Sequence, residues 1–148
     1  MRELVSEAAD ARADDIARKN LALRQEDEAS APVHGDRTLL ARMVQNVIDN
    51  AVVHNQHDGW VRIATSGGDL VVETGGPVLH QDQADRLIEP FQRLGADRTG
   101  SENGSGLGLS IVAAVAEAHG GRLRLGARSG GGLRVTISLP TAEKPVLA

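Results

Sequence analysis

Cysteine is absent from these 148 residues, which excludes a disulfide framework and any thiolate-ligated metal. Aromatic side chains number two, Trp60 and Phe91, so no row of rings exists on which nucleic-acid bases would stack. The formal charge of −4 points the same way, against a non-specific nucleic-acid binder. No apolar run approaches the roughly 18 residues of a membrane span, and the first residues lack a signal-peptide pattern. A water-soluble chain with no membrane segment is expected. Lysine occurs only at positions 19 and 144, which excludes a Walker loop, because that loop needs a lysine directly after its last glycine.

Glycine is plentiful, and its placement is informative. Gly104-Ser105-Gly106-Leu107-Gly108-Leu109-Ser110-Ile111-Val112 opens an apolar, alanine-rich helix. Glycines crowded before a helix start leave backbone N–H groups uncovered at the positive end of the helix dipole, where an anion can approach. This is phosphate-binding chemistry. A dinucleotide fingerprint does not fit, since Asp97 to Asn103 reads as an exposed loop rather than a strand, and Leu109 stands where a third glycine would be needed.

The remaining pattern reads as one domain over residues 1–140 with a frayed tail at 141–148. Leu4, Val5, Ala8, Ala11 and Ile16 predict an amphipathic helix from Arg2 to about Lys19. Asn20 to Arg24 alternates like a short strand, Glu26 to Ser30 reads as a turn, and Ala31 to His34 as a second short strand. Asp36 is a good N-cap for a long helix running to about Asn55, with a turn at His57-Asp58-Gly59. Two hairpins follow, Val61–Ala64 with Leu70–Glu73 and Arg122–Ala127 with Leu133–Leu139. Between them lie a short helix at 83–88 and the glycine-led helix, stopped by His119-Gly120-Gly121. Hairpins with interspersed helices predict an α+β fold, a two-layer α/β sandwich whose sheet is mixed and mostly antiparallel, with three main helices on one face.

In the long helix, Leu40, Met43, Val44, Val47 and Ala51 form the core-facing stripe. At about 100° per residue, Asn46, Asn50, Val53 and His54 share one flank of it. Asparagine is a poor helix-interior residue, because its side chain competes for backbone hydrogen bonds. A solvated border is the ordinary reading of such a pair. The alternative is chemical: an amide oxygen is a neutral hard ligand suited to Mg²⁺, which shares phosphate oxygens with a nucleotide.

Here the sequence resembles a family. Gln45-Asn46-Val47-Ile48-Asp49-Asn50-Ala51-Val52-Val53-His54-Asn55 is similar to the N box of sensor histidine kinases, and Glu73-Thr74-Gly75-Gly76-Pro77-Val78 to their G1 box. Glu89-Pro90-Phe91-Gln92-Arg93 resembles the F box, and Gly104 to Val112 the G2 box. The resemblance implies the Bergerat-type ATP-binding fold, with ATP and Mg²⁺ as cofactors. It makes Asn50 the Mg²⁺ ligand and puts Asn46 near metal and phosphates. His54 lies against the adenine, and Thr74 and Gly76 belong to the base loop. It makes Arg93 a γ-phosphate contact and, with Asn46, a catalytic residue. Phe91 becomes the anchor of a lid over about 95–104, and Gly104, Ser105, Gly106, Leu107, Gly108 and Leu109 the phosphate-binding run. Its implied partners are the histidine-bearing dimerisation domain of the same kinase and a downstream receiver domain. The implied setting is cytoplasmic, with a monomeric isolated domain and a homodimeric full kinase.

Three positions depart from the pattern. Thr74 stands where the family has Asp or Asn to accept the adenine amino group, Val78 replaces the third G1 glycine, and Val53 replaces a common Lys or Arg. None of His34, His54, His57, His80 and His119 sits in a helical His-Glu or His-Asp motif, so the acceptor histidine is expected on another segment. Two other classes remain open. A related ATPase or a serine kinase of the anti-sigma kind carries Glu at the Asn46 position as a general base, which an amide cannot be. A non-catalytic nucleotide-binding module would tolerate Thr74.

Overall fold

The computed structural model describes residues 1–30, 33–78, 80–86 and 108–141. The expected N-terminal helix is two helices, α1 (Arg2–Ala11) and α2 (Ala13–Arg18). The break falls at Arg12, which leaves helical geometry at φ −108, ψ 15, while its guanidinium bonds Asp49 and Asp15, each at 2.7 Å. Leu4, Val5, Ala8 and Ala9 are buried, whereas Ala11 is exposed.

Strand β1 (Ala22–Ser30) runs straight through the residues expected to turn at Glu26 to Ser30. Low β-propensity is overridden here by pairing: β1 lies parallel to β2 (Trp60–Gly67), from Ala22 opposite Trp60 to Asp27 opposite Thr65. Its acids also find partners on β2, Glu26 with Arg62 at 2.8 Å and Asp27 with the Thr65 hydroxyl at 2.8 Å. Asn20 is not in the strand but in the left-handed region, at φ 54. Of the expected second strand, Val33 and His34 are irregular, and Ala31 and Pro32 lie outside the described residues.

Helix α3 (Arg37–Val53) starts as its sequence predicts, with one Asp36 carboxylate oxygen accepting from the N–H groups of Thr38 and Leu39. Strands β2 and β3 (Asp69–Thr74) form the expected hairpin, closed by Gly67-Gly68 with Gly67 at φ 59. Helix α4 (Gln81–Arg86) begins two residues before the expected start. Helix α5 (Gly108–Ala118) stops at Gly120, whose φ of 81 lets the Gly121 N–H return to the Ala116 carbonyl at 2.8 Å. Strands β4 (Arg122–Ala127) and β5 (Leu133–Ser138) make the second hairpin.

The sheet order is β1-β2-β3-β5-β4, with one parallel and three antiparallel pairs. Strand alternation gives it two unlike faces. One carries Val61, Ile63, Leu70, Val72, Leu125, Val135 and Ile137, which share a core with Val5 of α1, with Met43, Val44, Val47 and Val52 of α3, and with Val112 of α5. The other carries a row of charges, Arg24, Glu26, Arg62, Glu73 and Arg134, linked by ion pairs. The expected two-layer sandwich is the observed one.

Candidate functional site

Helix α3 presents Asn46, Asn50 and His54 at successive four-residue steps, which puts them on one face beside the buried stripe. Both asparagines are half-buried and His54 is exposed. Asn46 Nδ2 is the one buried side-chain nitrogen or oxygen without a hydrogen-bond partner among the described residues. Such a donor costs free energy unless something outside the protein accepts from it. A phosphate oxygen or a metal-bound water is an acceptor of the required kind, and a neutral amide oxygen is a ligand Mg²⁺ takes. The residues present therefore fit a metal-nucleotide pair.

Thr74 ends β3 opposite Val61 and Leu133, on the face that α3 covers. Its neighbour Glu73 sits opposite Arg62 and Arg134, on the other face, and bonds them at 2.8 and 2.7 Å. Burial pushes the Glu73 carboxyl pKa up, but the hydrogen bonds from Arg134 and Arg62, with their charges, outweigh it and hold the pKa below the usual value. Arg128 completes this cluster, 3.6 Å from Glu73 and stacked 4.8 Å from the Trp60 ring centre. Glu73 is therefore committed to structure, and Thr74 is the side chain available on the helix side.

The loop after Thr74 is braced from behind, which sequence reasoning did not anticipate. Gly131 and Gly132, at φ 106 and 92, press against it so closely that a Cβ on Gly132 would collide with the Thr74 carbonyl oxygen, and one on Gly131 with that of Gly76. The Gly132 N–H also donates to the Pro77 carbonyl at 2.9 Å. Gly75 packs on Trp60, and Gly76 holds a positive φ of 150, a conformation that L side chains rarely adopt, with almost open space at its Cβ position. The glycines at 130–132 read as a hairpin turn in the sequence, and nothing local marks their second role.

Gly108 is the first described residue of α5, and a Cβ there would meet nothing within 4 Å. The Leu109 side chain is 4% exposed and belongs to the core, so what it can offer a ligand is its backbone N–H. Phe91, Arg93, Gly104, Ser105, Gly106, Leu107 and the lid expected at 95–104 lie outside the described residues. Asn55 and Lys19 were also missed. The buried Asn55 amide donates to the carbonyls of Ala51 and Trp60, both at 3.1 Å, and so ties the end of α3 to β2.

Half-buried Asn46 and Asn50 on α3 and Thr74 on the helix side of β3 lie within a five-stranded α+β sandwich. Residues 35–143 match the family described as "Histidine kinase-, DNA gyrase B-, and HSP90-like ATPase". The chain is 45% identical over 127 residues to "Sensor protein CutS" of Streptomyces coelicolor, covering 82% of this chain and 30% of that protein. To "Signal transduction histidine-protein kinase BaeS" of Escherichia coli it is 31% identical over 129 residues, covering 84% and 28%. Among solved structures, "Mycobacterial sensor histidine kinase MprB" superposes with a TM-score of 0.73 at 29% identity, covering 95% of this chain and 94% of that one. The catalytic domain of histidine kinase ThkA has the same fold, with a TM-score of 0.77 at 23% identity and coverage of 95% and 93%. The chain belongs to the histidine kinase-, DNA gyrase B- and HSP90-like ATPase family, as a catalytic domain of the protein-histidine kinase kind. It spans about three tenths of the length of the curated relatives it matches. No helix among the described residues is long and apolar enough to cross a membrane.

Proposed function

We propose that this chain binds Mg·ATP between α3, the loop after β3 and the start of α5, and transfers the γ-phosphoryl group to a histidine on a separate dimerisation helix. The observation that carries the reading is the row Asn46, Asn50 and His54 with the buried, unpartnered Asn46 amide. Asn50 and Asn46 would hold the metal and its phosphate shell. When bound, Mg²⁺ neutralises phosphate charge that would otherwise repel an incoming nucleophile.

The protein's own part is positional. Asn46 Nδ2 donates toward the phosphates, Thr74 meets the purine amino group, His54 lies against the base, and backbone N–H groups from 104–109 face the polyphosphate. Arg93 bears on the γ-phosphate as its bridge to ADP breaks and its new bond to imidazole nitrogen forms, the imidazole proton leaving to water. Residues 1–140 act as one catalytic unit in the cytoplasmic part of a dimeric sensor kinase, and a receiver domain takes the phosphoryl group onward.

The general-base chemistry of a related hydrolase or serine kinase finds less support here. The one acid of α3, Asp49, is engaged by Arg12 at 2.7 Å and Gln45 at 2.6 Å. His57-Asp58 lies in a turn rather than a helix, so it does not serve as an acceptor motif either. The test is to incubate the chain with γ-labelled Mg·ATP and a histidine-bearing dimerisation segment from its parent kinase. Acid-labile, alkali-stable label on that segment is expected. Steady phosphate release without transfer would instead identify a hydrolase, and no turnover with intact binding a silent module.

A further inference from the structure

Helix α3 does not complete its own C-terminus. Its last turn contains no basic residue, and the residue after its cap is Asn55, whose side chain is spent on Ala51 and Trp60, rather than a glycine in the left-handed region. The missing cation arrives from the junction of α2 and β1. Lys19 Nζ donates to the carbonyl oxygens of Val52 at 3.0 Å, Val53 at 2.7 Å and Asn55 at 3.1 Å. All three ammonium hydrogens are thereby used, on carbonyls of residues that precede and follow His54 in the chain.

A second contact runs through the same junction. The Asp58 N–H donates to the Lys19 carbonyl at 2.8 Å, and Asn20 Nδ2 to Asp58 Oδ1 at 2.7 Å. Asn20 and Asp58, at φ 54 and 63, are the described non-glycine residues with left-handed backbones. Two unfavourable conformations facing one another, joined by hydrogen bonds, are held by their surroundings. Ordering a flexible lysine costs side-chain entropy, which three charge-assisted bonds to dipole-aligned carbonyls offset. Burial lowers the Lys19 pKa, as desolvation of an ammonium must.

We infer that Lys19 is a positioning residue for His54, fixing the direction in which the end of α3 presents that side chain to the nucleotide base. The inference rests on the proposed reading of α3 as the nucleotide helix. A lysine that merely stabilised the fold would change melting temperature alone. One that aims His54 changes base affinity as well, and does so while the phosphate-facing asparagines, one and two turns back along the helix, keep their places.

The experiment uses the whole 148-residue chain with Lys19→Met, which keeps length and removes the donors, and Lys19→Arg, which restores them. Ile137→Val, a core change at the end of the sheet away from His54, serves as a stability control. Lys19→Met is expected to weaken Mg·ATP about fivefold, the effect of losing roughly one net hydrogen bond's worth of alignment, with Lys19→Arg within twofold of the parent. Imidazole NMR signals of His54 in the nucleotide-free protein should shift in Lys19→Met and not in Ile137→Val. A lower melting temperature with unchanged ATP affinity and unchanged His54 signals would overturn the inference. If the parent chain itself bound no ATP, the proposed function would fail, while the His54 signals would still decide whether Lys19 aims that side chain.

Discussion

Glu73 and Thr74 are adjacent in sequence and face opposite sides of the sheet, Glu73 toward Arg62 and Arg134, Thr74 toward the layer of α3. The Glu73 carboxylate is therefore neutralised on the face away from α3, and the neighbouring side chain on the α3 side is a hydroxyl. A hydroxyl both donates and accepts, whereas a carboxylate only accepts.

Thr74→Asp is expected to tighten Mg·ATP by about fivefold to tenfold, because a charge-assisted acceptor replaces a neutral one at the purine amino group. GTP presents a carbonyl oxygen there, so its affinity should fall. Parallel titrations with both nucleotides check this, and equal effects on the two would remove Thr74 from the base site.

Glu73→Gln should destabilise the chain by about 1–2 kcal/mol at neutral pH, a figure reduced from the full value of two charged hydrogen bonds because Arg62 and Arg134 are 38% and 58% exposed. The sign of its pH dependence follows from the lowered pKa. The unfolded chain binds a proton more readily than the folded one, so the carboxylate's contribution is complete above the ordinary value near 4.5 and is lost as pH falls through the depressed folded value. Urea melts of parent and variant should differ by a constant amount above pH 5 and converge in acid. A difference that grew in acid would contradict the ion cluster.

Gly132→Ala should cost about 2–3 kcal/mol, since the residue holds φ 92 and its new Cβ would collide with the Thr74 carbonyl oxygen. Because the collision displaces the base loop, ATP affinity should fall together with the melting temperature. Gly130→Ala, where a Cβ meets nothing within 4 Å, should leave affinity unchanged. Equal behaviour of the two variants in melts and titrations would show that the turn does not brace the loop.

The parts of this architecture legible in the sequence are those set by local rules. The Asp36 cap, the Met43-Val44-Val47-Ala51 stripe and the Gly67-Gly68 turn each follow from periodicity or from one residue's conformational preference. The misread parts depend on distant partners. Glu26 to Ser30 look like a turn until β2 supplies Arg62 and Thr65 opposite them, and the helix break at Arg12 becomes intelligible only with Asp49 beside it. The same division holds in the site. Asn46, Asn50 and His54 were visible because four-residue steps gather them, while Lys19 and Gly132 act across more than 30 and 50 residues of chain on α3 and the Thr74 loop, and no spacing rule connects them.

The most direct test of the nucleotide reading is calorimetric titration of ATP, with and without Mg²⁺, into the parent chain and Asn50→Ala. Asn50 is half-buried beside the core stripe rather than in it, so its truncation should leave the melting temperature within a few degrees. The account predicts Mg²⁺-dependent ATP binding by the parent and its abolition in Asn50→Ala with the fold retained. Unchanged Mg·ATP affinity in Asn50→Ala would contradict it.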